Sequence, residues 1–551
     1  MNRLVAFGVY AVQLYARLNR RAGTLSRHFL QGDNMHNTMR RSTPINRRQF
    51  LRVAGLGPVA LAIQACSSSA PAAPTDVPDI PTSAPLPTRA SESSVSTQKA
   101  LSPSQSGTAD TARAKATKVP FDASAALVWS TLDDPAFCDR IDAMAEGFAK
   151  DSPGTRVNAV QCDGGAGSVD FALVLKSRIA NAQGPDAILL IGDPSPGLVT
   201  TGLLQPLNDL LPSSSYSRPN NWPVPILAAA TFEGKMYGLP LITAPYAIYY
   251  NAGAFEKKGI SSKREDFPKT LEELKRVSKQ FTSWSGETLT TAGYIPGLKG
   301  SDLPLWFALN GGGLFDNAKN KFVIDQERNV EIVQFILDWY KAEYHGDTTQ
   351  AGIGGEFHAA NASTETPKTF ELGKLAMVSA SILASDRLSK MSLTEEAKNW
   401  DVAPYPLGPS GKEVVTFSDT IWALVPIHAK HRDDAFKYVD YIGGKGLATP
   451  DVLSFDFGTL LPGNKAITTP SGSQAVEQSR GATFAASWLA FFLKQRDMIT
   501  VFDLSPIAGS AADILGLQMD DVIHGKAKPS DALAQAQKLC QDRLEQALKK
   551  N

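Results

Sequence analysis

The chain has 551 residues, of which 43% are apolar and 20% are charged, so it can bury a large core in two to four folding units. Lys and Arg together equal Asp and Glu at 55 each, and without a basic excess we expect no nucleic-acid partner. The four cysteines, Cys66, Cys138, Cys162 and Cys540, are too few for a disulfide scaffold and lack the spacing of a zinc site. We therefore expect a globular protein with neither metal nor cofactor.

The N-terminal segment has the pattern of an export signal. Residues 46–66 combine a basic head that contains Arg47 and Arg48, an apolar run too short to span a bilayer permanently, and a small residue before a cysteine. The paired arginines resemble a twin-arginine signal, and Ile63-Gln64-Ala65-Cys66 resembles a lipobox. Residues 1–66 are thus interpreted as an N-terminal extension and signal with a lipid on Cys66. The alternative is that Cys66 merely lies near a cleaved signal.

A tether is expected to follow the signal. Residues 67–120 are rich in Ser, Pro, Ala and Thr and contain no aromatic residue to form a core. We predict that this segment is disordered and holds a globular body, residues 121–551, near a membrane. The expected location is the extracytoplasmic face of the cell membrane, by lipid anchoring.

The body begins with alternating strands and helices. An apolar strand is predicted over residues 125–130, and a helix opens after Asp133 and Asp134. The alternation continues at residues 157–160, 171–179 and 187–191, where a buried strand ends just before Asp193. This pattern predicts an open α/β sheet, in which ligands bind outside the carboxyl ends of the strands. The three aspartates are therefore predicted ligand contacts, with helix capping and turn formation as the alternative.

Later helices carry apolar stripes that indicate core faces. The stripes cover residues 271–281, 330–340 and 533–547, and the last makes Cys540 a buried small residue. Cys138 and Cys162 lie in the first strand and helix unit and could pair after export, although their separation does not follow from the sequence.

Several segments, in their order along the chain, resemble the family 1 extracellular solute-binding proteins of ABC importers. The resemblance spans about residues 121–548. Its main motifs are Gly184-Pro185-Asp186-Ala187, Gly202-Leu203-Leu204-Gln205-Pro206-Leu207, Gly234-Lys235-Met236-Tyr237-Gly238-Leu239-Pro240, Ile248-Tyr249-Tyr250-Asn251, Asn310-Gly311-Gly312 and Phe370-Glu371-Leu372-Gly373-Lys374-Leu375-Ala376-Met377.

The resemblance implies a two-lobed periplasmic-binding fold of type II. Each lobe would be an open α/β sheet, crossing strands would join the lobes, and a solute would be held in the cleft. Lobe 1 is expected at about residues 121–243 and 376–444, and lobe 2 at about 244–375 and 445–551. Closure of the lobes on the solute would be the transport signal.

Loop positions that match the family's contact loops give a second group of predicted ligand contacts. A sugar needs hydrogen-bonding groups for its hydroxyls and flat rings for its apolar faces. The group comprises Tyr246, Trp306, Asn310, Ser381, Ser418 and Asp419. Core packing is the competing interpretation for Trp306 and Trp422. Residues 379–383 contain no tryptophan where many sugar-binding members have one, so non-sugar solutes stay open.

The expected function is a monomeric receptor that binds a sugar or oligosaccharide and delivers it to the permease subunits of an ABC importer. The alternatives are the same fold with a polyamine, a peptide or a metal chelate, since acidic loops suit cationic ligands, and an exported glycoside hydrolase that uses Asp133 and Asp193. We do not expect an enzyme, because the histidines lack the context of a metal site or a nucleophile.

Overall fold

The structure, a computed structural model, describes most of the predicted body. The described residues are 122–131, 135–158, 160–162, 171–181, 183–192, 196–346, 357, 368–391, 393–448, 461–468, 473–502 and 505–550. Arg47, Arg48, Cys66 and the tether over residues 67–120 therefore lie outside the described residues.

The described residues form fourteen strands and sixteen α-helices. The strands are β1 (Val128–Ser130), β2 (Gln161–Cys162), β3 (Ala187–Ile191), β4 (Thr231–Phe232), β5 (Lys235–Met236), β6 (Gly238–Asn251), β7 (Ser283–Ser285), β8 (Thr288–Thr291), β9 (Phe315–Asp316), β10 (Lys321–Phe322), β11 (Met377–Ser381), β12 (Trp400–Ala403), β13 (Ser418–Leu424) and β14 (Leu461–Pro462). The helices are α1 (Pro135–Asp151), α2 (Phe171–Ala180), α3 (Pro196–Val199), α4 (Val224–Ala229), α5 (Ala252–Lys257), α6 (Leu271–Ser278), α7 (Leu303–Leu309), α8 (Glu327–Glu343), α9 (Lys368–Glu371), α10 (Leu383–Lys390), α11 (Glu395–Lys398), α12 (Arg432–Gly443), α13 (Ser473–Arg480), α14 (Ala482–Arg496), α15 (Ala508–Ile523) and α16 (Pro529–Lys550).

The first half of the main sheet is an α/β layer buried on both faces. Strand β1 pairs in parallel with β2 and β3, and β13 runs antiparallel to β3. Because successive side chains of a strand point to opposite faces, Leu189 joins the large core, whereas Ile188 joins a separate core with Trp129 and Trp422. The predicted α/β sheet is confirmed.

One predicted strand is misplaced. The expected strand at residues 157–160 contributes a single bridge, from Val157 to Ala126, and β2 begins only at Gln161. The Val160 N–H donates to the carboxylate of Asp142 in α1 at 2.7 Å, which removes it from any strand ladder. Because Asp142 engages the Val160 N–H, strand β2 begins one residue later, at Gln161.

Strand β6 crosses from one half of the molecule to the other. Its residues up to Pro245 pair with β13, and those from Tyr246 onward pair with β11 and β12. Proline lacks an N–H for a ladder, so Pro245 suits the position where the strand changes partners. A continuous buried strand therefore joins the two lobes.

This pairing corrects the expected lobe boundary at residue 376. Strands β11 and β12 pair with residues 246–251 of β6, which were assigned to lobe 2. The chain rejoins the first half of the sheet only at Ser418, where β13 begins. Residues 377–403 thus belong with lobe 2, because partner strands and not sequence order define a lobe.

The helices predicted from apolar stripes are present in α6, α8 and α16, where Leu274, Val333 and Cys540 are fully buried. Helix α6 starts with a capping box, in which the Thr270 side chain accepts from the Glu273 N–H and the Glu273 carboxylate accepts from the Thr270 N–H. The apolar periodicity located these elements correctly.

A disulfide joins Cys138 of α1 to Cys162 of β2. Their Cα atoms are 6.3 Å apart, and the two residues are separated by 24 positions. The bond ties the first helix to the edge of the sheet, and it resolves the pairing that the sequence left open.

Candidate functional site

A cavity of about 450 Å³ lies beside the crossing strand and is bounded by residues of both lobes. The lining residues of lobe 1 are Gly192, Ile226, Thr420 and Trp422, and those of the segment at the crossing are Phe417, Ser418 and Asp419. The lining residues of lobe 2 are Tyr294, Gly297, Ser301, Asp302, Pro304, Leu305, Trp306 and Ser379. The segment from α14 into α15 adds Ile499, Thr500, Val501, Phe502, Ala508 and Gly509. Its volume lies in the lower part of the ~300–1,000 Å³ range of small-molecule sites.

Ser418 shapes the wall at the crossing. Its hydroxyl accepts from the Ala244 N–H of β6 at 2.9 Å and donates to the Asp419 carbonyl at 2.9 Å. The first residue of β13 is thereby fixed against the crossing strand, and Asp419 follows it on the cavity wall. Both of these hydrogen bonds join the Ser418 side chain to backbone groups.

Asp419 is held from behind by Tyr246. The tyrosine hydroxyl donates to the Asp419 carboxylate at 2.8 Å, and the Tyr246 ring stacks on Phe417 with centroids 3.9 Å apart. Burial raises the pKa of the Asp419 carboxyl, although the tyrosine hydrogen bond lowers it. Tyr246 is not a lining residue, so it positions a carboxylate that does line the cavity.

Asp302 is the second acidic residue of the wall and lies just before α7. Its carboxylate accepts from the Lys299 N–H at 2.9 Å, and it approaches so closely that a Cβ on Gly297 would overlap Asp302 Oδ2. Burial raises the pKa of Asp302 to about 6, against the opposing effects of the Lys299 backbone N–H and charge. Glycine at position 297 therefore makes room for a partly desolvated carboxylate.

Trp306 serves both as core and as cavity wall. Only 3% of its surface is exposed, its Nε1 donates to the Gly297 carbonyl at 3.0 Å, and its ring meets Tyr405 edge to face. The two interpretations of this residue from the sequence are therefore compatible in the structure.

Two buried polar atoms on lining residues have no hydrogen-bond partner among the described residues: Tyr294 Oη and Trp422 Nε1. Both side chains are fully buried. Burial raises the pKa of Tyr294 well above its usual value, and the neighbouring Tyr405, Asp302 and Tyr340 raise it further. Buried donors of this kind are normally satisfied, so these two atoms are exceptions among the described residues.

The structure brings together Trp306, Ser418 and Asp419 among the predicted contacts, with Tyr246 behind them. Asn310 and Ser381 are not lining residues of this cavity. The predicted contacts Asp133, Asp134 and Asp193 lie outside the described residues.

Asn310 has a local structural role. Its amide donates to the Arg328 carbonyl at 2.7 Å and to Glu331 at 2.8 Å, and its oxygen accepts from the Ser410 N–H at 2.8 Å. Ser381 is buried in β11 opposite Tyr246, and its carbonyl accepts from the Tyr249 hydroxyl at 2.9 Å. Both residues therefore hold the lobe 2 framework.

Sequence reasoning missed several lining residues, including Tyr294, Asp302, Phe417 and Phe502. Phe417 immediately precedes the predicted Ser418 and could have been found from that neighbour. Tyr294 and Asp302 lie far along the chain from Phe502, and only tertiary packing brings the three residues together.

The arrangement suits a polar, ring-shaped molecule. Carboxylates accept hydrogen bonds from hydroxyl or ammonium groups, and the aromatic walls match apolar ring faces. Within the part of the chain that the structure describes, the helices lack the length and hydropathy that a membrane span requires.

Comparison with known proteins places this architecture in a class. A structure of an ABC substrate-binding protein from Listeria monocytogenes in complex with cycloalternan superposes with a TM-score of 0.58 at 17% identity and covers 77% of this chain and 98% of its own. The fold is thus the two-lobed, type II solute-binding fold. The sequence profile of the bacterial extracellular solute-binding proteins matches residues 139–448. The chain belongs to this family, which confirms the resemblance seen in the sequence.

Two curated relatives are distant in sequence. A binding protein of Brucella abortus (strain 2308) is 24% identical over 326 residues, which cover 56% of this chain and 68% of the relative. The maltodextrin-binding protein of Bacillus subtilis (strain 168) is 23% identical over 280 residues, which cover 49% of this chain and 58% of the relative.

Proposed function

We propose that this protein is the extracytoplasmic receptor of an ABC importer and that it binds a sugar in the cavity between its lobes. The cavity carries the proposal, because residues of both lobes and of the crossing segment face the same space. A solute in that space contacts both lobes and therefore favours their closed arrangement. The family membership and the sugar-binding relatives support a sugar as the cargo.

The receptor binds the solute without changing its covalent structure. The carboxylates Asp302 and Asp419 bind and orient it, the rings of Trp306 and Phe417 cover its apolar faces, and the solute passes unaltered to the permease subunits. A lipid on Cys66, added after export directed by Arg47 and Arg48, keeps the monomeric receptor beside the permease.

The experiment is a thermal unfolding screen of the full chain against neutral sugars, amino sugars, polyamines and short peptides. A ligand that binds only the native state raises the stability by RT ln(1 + [L]/Kd), so a sugar that binds raises the Tm in proportion to the logarithm of its concentration. Small-angle scattering with the same sugar should show a smaller radius of gyration, because the lobes close.

A matched pair of tryptophan variants tests the location. Trp306→Phe, in the cavity wall, is expected to weaken sugar binding. Trp284→Phe is the control, since this tryptophan stacks on His345 away from the cavity lining. Equal losses in the two variants, Tm shifts produced by polyamines or peptides alone, or a chemically altered sugar recovered from the mixture would contradict the proposed function. If the Cys66→Ser variant still incorporates a lipid label, the proposed lipid anchor on Cys66 is contradicted.

A further inference from the structure

The described lining of the cavity is acidic and carries no compensating cation. Asp302 and Asp419 line it, whereas no lysine, arginine or histidine occurs among the described lining residues. Lys299 donates its backbone N–H to Asp302, but its side chain is exposed and is not part of the lining. Among the described lining residues the two carboxylates thus have no positive partner, and the Lys299 charge acts on Asp302 from outside the lining.

Both carboxylates retain hydrogen-bonding capacity. The described residues supply one donor to Asp419, from Tyr246, and one to Asp302, from Lys299, and each bond uses Oδ2. An ionised carboxylate accepts about four hydrogen bonds in total. Each Oδ1 is thus available to a ligand.

Burial makes these charges costly. It raises the pKa of Asp302 to about 6 and raises the pKa of Asp419, since desolvation disfavours the ionised form. A neutral sugar would replace water by hydroxyl donors but add no positive charge, whereas a cation would also offset the charge of the carboxylates.

The remaining chemistry of the cavity indicates a sugar ring and not a simple amine. The described lining also includes the hydroxyl residues Ser301 and Thr500, which can form hydrogen bonds with sugar oxygens. The rings of Trp306 and Phe417 offer flat apolar faces that also attract cations.

We propose that the solute is an amino sugar of one or two rings whose protonated amine is bound by the carboxylates of Asp302 and Asp419. This inference rests on the proposed function and names the substrate class for the same cavity. The sugar oxygens form hydrogen bonds with the hydroxyls of Ser301 and Thr500, and the ammonium group neutralises the acidic wall. The cavity of about 450 Å³ sets the upper size.

Isothermal titration calorimetry on the full chain at pH 7.5 tests the inference with matched sugars. The probes are glucosamine, galactosamine and the disaccharide of glucosamine, each compared with its N-acetylated form and its neutral hydroxyl analogue. The three forms share a ring, and only the amine form can carry a positive charge. We expect the amine form to bind at least roughly tenfold more tightly than the other two, as for one charge-assisted hydrogen bond.

Charge variants identify the source of the preference. Asp302→Asn and Asp419→Asn are each expected to weaken amine binding by roughly tenfold or more, and to change binding of the neutral analogue much less. Asp316→Asn is the control, because Asp316 pairs with Lys319 on an exposed turn. It should leave all affinities unchanged.

The outcomes separate this inference from the proposed function. If the acetylated or neutral sugars bind as tightly as the amines, or if the preference for the amine survives in both aspartate variants, the amino-sugar inference is overturned and the receptor function stands. If none of the three forms produces heat or a Tm shift with folded protein, and no other sugar of the thermal screen does, the sugar-receptor function fails as well.

Discussion

Replacement of Asp302 by asparagine should stabilise the protein at neutral pH. The pKa of Asp302 is about 6 in the folded protein and 3.8 for the unperturbed group. The unfolded chain therefore loses this proton before the folded protein does, and stability falls as the pH rises from about 4 to about 6. Above pH 6 both states are ionised, and the folded state carries a constant penalty of about 3 kcal/mol. The asparagine side chain is neutral in both states, which removes the penalty, and its oxygen can still accept from the Lys299 N–H.

The assay is urea unfolding of the ligand-free protein, followed by tryptophan fluorescence at pH 4.5 and pH 8. The stability gain of Asp302→Asn over the parent protein should grow from about 1 kcal/mol at pH 4.5 to about 3 kcal/mol at pH 8. Asp316→Asn is the control: the Lys319 hydrogen bond holds the pKa of Asp316 below its usual value, so this variant should not gain stability at pH 8. A gain that does not change with pH, or a loss at pH 8, would refute the reasoning that burial of this carboxyl is costly.

Three further predictions concern the framework of the site. The double variant Cys138→Ser, Cys162→Ser should lose about 3 to 4 kcal/mol of unfolding free energy, as expected for a 24-residue separation, and its urea midpoint should no longer respond to reductant. Tyr246→Phe removes the only described donor to the Asp419 carboxylate, so we expect a loss of about 1–2 kcal/mol at pH 8, measured by the same urea assay, and weaker solute binding. Gly297→Ala places a Cβ against a carboxylate oxygen of the wall, which should lower solute affinity in calorimetry by roughly tenfold while the far-UV circular dichroism stays unchanged.

The parts of the fold that local physics determines were predictable from the sequence. The continuous apolar run of residues 187–191 became β3 with the predicted bounds, because a strand buried on both faces needs such a run. The strand expected at residues 157–160 was wrong, since a hydrogen bond from Val160 to Asp142 decides where β2 begins. The lobe boundary at residue 376 was wrong for a similar reason, as the partners of β11 and β12 are chosen by tertiary structure.

The site was predictable only in part. Ser418 and Asp419 were predicted because they match contact loops of the family, and both line the cavity. Asn310 matches the same kind of loop position, yet its amide faces Arg328 and Ser410, because residue type does not fix the direction of a side chain. Asp302 was missed since nothing in its local sequence shows that Gly297 lets it approach the cavity wall.

The crossing strand gives a physical reason why binding and lobe movement are linked in this molecule. Tyr246 begins the part of β6 that pairs with lobe 2, and its hydroxyl holds Asp419 of β13, which pairs with the preceding part of the same strand. A rotation of one lobe about the crossing segment would change the position of Asp419 relative to Asp302. A solute that contacts both carboxylates fixes that relative position, so its binding energy acts directly on the lobe angle. On the proposed function, the same contact would offset the desolvation that raises the pKa of both carboxylates.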